Sequence, residues 1–162
     1  MEVFYPLAMG FSFVVVPVSK DPGFLEWIED WGLSLPYYER ESRNPTPNEV
    51  RKVLNKLDGI TENFRVDDKT WGAYIEDSNG QRMAYINCDD FQGDENEPSR
   101  LSFDGDSNAL FCLRVVQQLT NVCGPLAMVI TTGSGDPVII TPDTSPEDAF
   151  NTWEETERRG RK

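Results

Sequence analysis

The chain contains no histidine. That absence removes Ser-His-Asp and Cys-His nucleophilic machinery, imidazole acid–base work and His-ligated metal centres. Cysteine is scarce, with three residues in an odd count and no paired spacing. This excludes a disulfide framework and a structural zinc site built on thiolates, and it fits a reducing compartment. Long apolar runs are also missing. The most apolar stretch, "MEVFYPLAMGFSFVVVPVS", carries Glu2, is broken by Pro6 and Pro17, and has no basic leader segment. It reads as an N-terminal strand, neither a signal peptide nor a membrane span. The expectation is a cytoplasmic protein that does not enter a membrane.

Positive charge is the remaining deficit. There are 15 basic residues against 28 acidic ones, a net charge of −13. Arg158, Arg159, Arg161 and Lys162 crowd the end of the chain, and without them 28 acids face 11 bases, or −17. Such a field repels phosphate backbones and anionic lipid, so nucleic acid and membrane are poor ligands and a basic protein is the fitting partner. The competing explanation is that the charge only keeps the chain soluble.

What is present builds a core. Apolar residues make up 38% of the 162, with four Trp, nine Phe and five Tyr. The length suits one domain. "FSFVVVPV" (11–18) reads as a strand. "DPGFLEWIEDWG" reads as a helix capped by Asp21, with Phe24, Trp27, Ile28 and Trp31 on one stripe. "TPNEVRKVLNKLDG" opens on a Thr46–Glu49 capping box with Pro47 in the first turn, and Val50, Val53, Leu54 and Leu57 line one face.

The middle of the chain alternates as sheet. "NFRV" (63–66) is one short strand, and Asn79-Gly80 predicts a two-residue hairpin turn. That turn sets Trp71 opposite Cys88, Ala73 opposite Ile86 and Ile75 opposite Ala84 on a core-facing side. Tyr74 then opposes Tyr85, and Glu76 opposes Met83, on the other side. A third helix is expected over 107–123, its stripe being Ala109, Cys112, Leu113, Val116, Leu119 and Cys123. "LAMVI" and "VIIT" follow as a buried strand pair joined by "TTGSGDP", whose lack of lysine and of a following helix separates it from a phosphate loop. Helices and hairpins are grouped instead of alternating, which defines an α+β fold with a largely antiparallel sheet and about three helices. The expected organisation is one domain over 1–142, with a tail over 143–162 that holds a short helix near 146–157 and then disorder.

Candidate chemistry is confined to one segment. Residues 89–106, "DDFQGDENEPSRLSFDGD", hold seven carboxylates and a single arginine in a long loop with a short strand at 101–103. Asp89, Asp90, Asp94, Glu95, Glu97, Asp104 and Asp106 are candidate partner contacts, joined by the aromatic anchors Phe91, Tyr74 and Tyr85. Tyr37, Tyr38 and Trp153 also fall outside the apolar stripes. Rings that fill pockets and carboxylates that steer a cation are the parts an acidic interface uses.

The same loop could instead be solvated surface, or hold Mg²⁺ or Ca²⁺ through hard oxygen ligands, although no EF-hand spacing is present. Cys112 and Cys123 lie eleven residues apart on one helical stripe, and Cys123 sits at the C-terminal, electron-rich end of the helix, where a thiolate is disfavoured. Cys88 is followed by two aspartates and is no better a nucleophile. No catalytic residue, metal ligand or cofactor is therefore expected. The reading is a non-enzymatic acidic binding module, comparable in class to an immunity protein that neutralises a basic toxin. The alternatives are a carboxylate-dependent enzyme or divalent-metal protein using 89–106, and a structural subunit of an assembly.

Overall fold

A computed structural model describes residues 11–35, 41–131 and 137–160. Tyr37 and Tyr38, the centre of the "TTGSGDP" turn and the end of the basic tail lie outside the described residues. Eleven elements follow in chain order: β1 (Phe11–Pro17), α1 (Pro22–Asp30), α2 (Pro47–Lys56), β2 (Ile60–Val66), β3 (Trp71–Asp77), β4 (Arg82–Cys88), β5 (Leu101–Ser107), α3 (Ala109–Cys123), β6 (Leu126–Ile130), β7 (Val138–Ile140) and α4 (Pro146–Gly160). Seven strands form one antiparallel sheet in the order β2-β3-β4-β5-β1-β6-β7. The α+β class is as read, with four helices in place of about three.

α2, α3 and α4 assemble on one face. α3 lies across the centre of the sheet and is flanked by α2 and α4. Its stripe is buried as expected, and Phe111 and Val115 are buried beside it. A helix covered by sheet below and helices alongside needs more than one apolar face. α2 begins as its sequence dictates. The Thr46 side chain accepts from the Glu49 backbone, and the Glu49 side chain accepts from the Thr46 backbone. α1 fits its expectation less well: Asp21 makes no side-chain cap, only Ile28 of the stripe is buried, and Trp31 is 44% exposed. The helix is short and the packed helical layer lies elsewhere.

The hairpin shows which signal wins when two compete. Its turn is not the expected two-residue type. Gly80 N–H bonds Asp77 O, Asp77 N–H bonds Gln81 O, and Gly80 takes a φ of 76°, making a three-residue turn with a left-handed glycine. The Asp77 carboxylate secures it by accepting from the backbones of Asn79 and Gln81. The longer turn places Glu76 opposite Arg82, not Met83, and a bulge between Ile75 and Glu76 then restores the predicted pairs Ile75–Ala84, Tyr74–Tyr85 and Ala73–Ile86. A one-residue slip would have turned Ala73, Ile75, Ala84 and Ile86 out of the core, where all four are fully buried. The bulged Met83 also offers its carbonyl to the Asn108 N–H at the start of α3.

Three further differences concern extent. β2 starts at Ile60, before the expected 63, and β5 runs to Ser107, past the expected 103. Charges within both strands mask their alternation. The helix in the tail is longer than expected and anchored: Trp153 is 1% exposed and stacks on Phe13 at 5.2 Å and 13°.

Candidate binding surface

The acidic segment is an ordered loop, 89–100, between two sheet-bonded strands. Four carboxylates are committed to building it. Asp89 accepts from the Ser102 hydroxyl at 2.9 Å, and its backbone N–H reaches Arg100 O at 2.8 Å. Asp90 accepts from the Ser99 hydroxyl and from the Arg100 N–H at 2.7 and 2.6 Å. These bonds, the hydroxyl's first, hold its carboxyl below the usual aspartate range. Asp94 accepts from the Asn96 N–H at 2.8 Å.

Glu95 does the most. Its two oxygens receive Nε and Nη2 of Arg51 at 2.6 and 3.2 Å, and the Trp71 indole N–H adds a bond of 2.9 Å. The Arg51 guanidinium, and after it the indole, depress the Glu95 pKa against the opposing effect of burial. The Glu95 carbonyl takes the Asn48 N–H, Asn48 also bonds Asn96, and Ser99 N–H bonds Pro45 O. The loop is thereby laced to α2 and its lead-in. Arg51 completes the joint from the helix side, 4.1 Å over the Phe64 ring and 5.6 Å over Trp71.

The sequence-predicted residues are divided by the fold into separate groups. Asp90, Phe91, Asp94 and Glu97 gather around a hollow of about 320 Å³, completed by Gln92, Pro98 and Ser99. Phe91 is buried, 4% exposed, so it floors the hollow and does not project from it. Gly93, at a φ of 97°, lets the loop press against the β2–β3 turn, where a Cβ would stand 3.2 Å from Asp68 O. That contact sets the exposed Asp68 beside the loop, next to Gln92 and Asp94 of the hollow's lining. Glu95 is turned away toward α2.

Tyr74, Tyr85 and Asp104 lie instead on the outer sheet face. The two rings meet edge-on at 6.4 Å, and Arg82 sits 5.5 Å over Tyr74. Tyr85 lies across Gly72, where an added Cβ would come 2.8 Å from its hydroxyl. Asn87 donates to Asp104 at 3.2 Å, and Asp89 stands at the lip of this face through Ser102. Asp106, at a φ of 70°, is at the opposite end of β5 from the loop.

Chemically, ionised carboxylates with apolar support attract cations, and groups held below their ordinary pKa are poor proton acceptors near neutral pH. All three cysteines are buried and none is in a disulfide, and burial pushes the Cys88 thiol up to about 12 and the Cys112 thiol well above its ordinary value. Among the described residues no group of three or more Cys, Asp and Glu side chains is placed to hold a metal ion, and no helix is long and apolar enough to cross a membrane.

Arg51, Asn48 and Trp71 are the site residues that sequence reasoning missed. One signal pointed to Trp71 and none to the other two: a buried tryptophan needs an acceptor for its N–H, and the acidic loop is the richest source of acceptors in the chain. No family model, curated protein or solved structure matches the chain.

Proposed function

We propose that this protein is a non-enzymatic module that binds a basic protein, in the manner of an immunity protein facing a cationic toxin, within a reducing, cytoplasmic setting. The observation that carries the reading is the hollow of about 320 Å³ at the acidic loop. Phe91 and Pro98 give it an apolar floor, and Asp90, Asp94 and Glu97 give it a ring of carboxylates. A lysine or arginine side chain has the complementary form, an aliphatic stem ending in a cation. The volume is at the small end of the range for ligand cavities, about 300–1,000 Å³, which suits a single side chain. The surrounding body carries −17, so a basic partner is drawn in before contact.

The variant that tests this is Asp94→Lys with Glu97→Lys. Both side chains are exposed, neither bonds Arg51 or Trp71, and the variant gives up only the exposed turn bond from the Asn96 N–H to Asp94. Tagged wild-type protein and the variant are used to capture partners from host lysate at low salt and are then washed at high salt. The expected result is a stoichiometric basic protein on the wild type that leaves at high salt, with an association rate to the variant about tenfold lower at low salt. Equal capture by both proteins would remove the hollow as the contact.

A further inference from the structure

We infer that the open edge of β2 accepts an extended segment of a basic protein as an eighth strand. This deepens the binding reading above and rests on it. β2 is the first strand of the sheet and, among the described residues, pairs with β3 alone. All seven of its residues are in unbroken register with β3, without proline or bulge. The opposite edge, β7, has only three residues.

The direction of the free backbone groups follows from the turn. Asp67 N–H bonds Thr70 O at 2.9 Å, closing the β2–β3 hairpin. Bonded pairs recur at every second residue in an antiparallel ladder, so Arg65, Asn63 and Thr61 spend their backbone bonds on β3. Ile60, Glu62, Phe64 and Val66 aim theirs at the open edge. The side chains of these same four residues point to the helix-covered face, opposite Asp77, Ile75, Ala73 and Trp71. Val66 remains 40% exposed there, while Ile60 and Phe64 are partly buried against the core. Arg51 holds Phe64 from above, which keeps the strand in place without a guest.

Charge selects the occupant. Glu62 stands alone among these four as a half-buried carboxylate between apolar neighbours. A guest strand continues the face correctly if it places lysine or arginine across from Glu62 and apolar residues across from Ile60, Phe64 and Val66. Asp67 and Asp68 follow at the end of β2, and the hollow lies beyond them. Arg51, Arg65 and Lys69 are the cations near the strand, and Arg51, over Phe64 on the inward side, is paired with Glu95. Arg65 is on the outer face and Lys69 in the exposed turn, so neither faces the guest's inward side. A second copy of β2 would bring its own Glu62 and another body of the same charge, which disfavours self-pairing.

The test uses the intact chain and a short synthetic peptide alternating threonine with valine, with lysine at one central inward position. Binding should slow hydrogen exchange at the Glu62 and Phe64 amides at least tenfold. Methylating the peptide's amides on its pairing edge should abolish binding. Glu62→Lys should weaken it up to about fivefold, the scale of one cross-strand charge pair, and a glutamate-bearing peptide should restore it. Glu62→Pro removes an edge donor without touching a β2–β3 bond and should block the peptide. If that variant does not fold, the methylated peptide and the charge swap still decide.

Unprotected edge amides, or equal binding by the methylated peptide, would overturn the proposal. So would a concentration-dependent dimer protected at the same amides in the absence of peptide. Asp94→Lys with Glu97→Lys separates the two readings. A partner lost with that variant but kept by Glu62→Pro leaves the hollow standing and eliminates the edge.

Discussion

At Glu95 one carboxylate satisfies a guanidinium and an indole together, joining the loop, α2 and β3 at a point where each has a polar group that must be paired. Its folded-state pKa lies below the ordinary glutamate value of 4.5, chiefly because of Arg51. A group depressed on folding contributes stability that is present above its unfolded pKa and lost as pH falls through the folded one. Asp90 and Glu49, depressed by Ser99 and Arg43 respectively, act in the same sense. Stability measured by urea should therefore hold down to about pH 4.5 and decline below it. Glu95→Gln keeps an acceptor for Trp71 but loses the charge, and should cost about 1–2 kcal/mol at pH 7, the lower part of the range for charge-assisted bonds because Arg51 and Glu95 remain partly exposed. The gap between the two proteins should close toward pH 3. A gap independent of pH would mean that shape, not charge, holds the joint. Little of this could be read from the residues. Trp71 was legible as an inward strand residue and Glu95 as a loop acid, but the positions are 24 apart in sequence, and Arg51 is 44 from Glu95. Periodicity reports which face a residue occupies, not which distant group it meets.

Elements were legible in proportion to how local their signals are. α2 carries its capping box, first-turn proline and apolar stripe within one short segment, and it forms as written. The β3–β4 pair kept its predicted inward face although its turn was of another type, because burying Ala73, Ile75, Ala84 and Ile86 outweighs the preference of two turn residues. α4 is the opposite case. Its first two and a half turns have only Ala149, Phe150 and Trp153 as apolar residues among charged ones, so the pattern resembles a solvated tail. The fold shows instead that Trp153 fills space over β1 against Phe13, which in turn meets Phe103 edge-on at 6.5 Å. Arg114 bonds Glu147 at 2.9 Å across α3 and α4. That bridge is exposed and contributes little; the tryptophan is the anchor. Trp153→Ala should cost about 3–5 kcal/mol, the usual loss for emptying a large aromatic site. Urea denaturation followed by circular dichroism would measure it. A loss below about 1 kcal/mol would make α4 an appendage whose removal the sheet and α3 tolerate.

For the molecule as a whole, the grouping of helices and hairpins announced an antiparallel α+β architecture, whereas the strand order did not announce itself. β1 inserts between β5 and β6, joining the N-terminal strand to partners near 103 and 128, and no local pattern encodes such a long connection. Net charge is the whole-molecule property the sequence states outright. At −13 the folded chain repels itself, and the four bases at its end offset part of that repulsion. Replacing Arg158, Arg159, Arg161 and Lys162 with glutamine takes the net charge to −17. At about 10 mM salt the screening length is about 30 Å, comparable to the molecule, and falls to about 8 Å at 0.15 M. The wild-type Tm should rise as salt is added. The glutamine variant should melt about 2–4 °C lower at low salt, corresponding to about 1 kcal/mol for a chain of this size, and should converge on the wild type above 0.5 M. Convergence identifies long-range repulsion as the cause, since removing a short-range interaction would leave a difference at every salt concentration. Melting temperatures that ignore salt in both proteins would mean that the acids are balanced locally, as Glu49 and Glu95 are by Arg43 and Arg51. The same field would then be too short-ranged to draw a basic partner toward the hollow from solution.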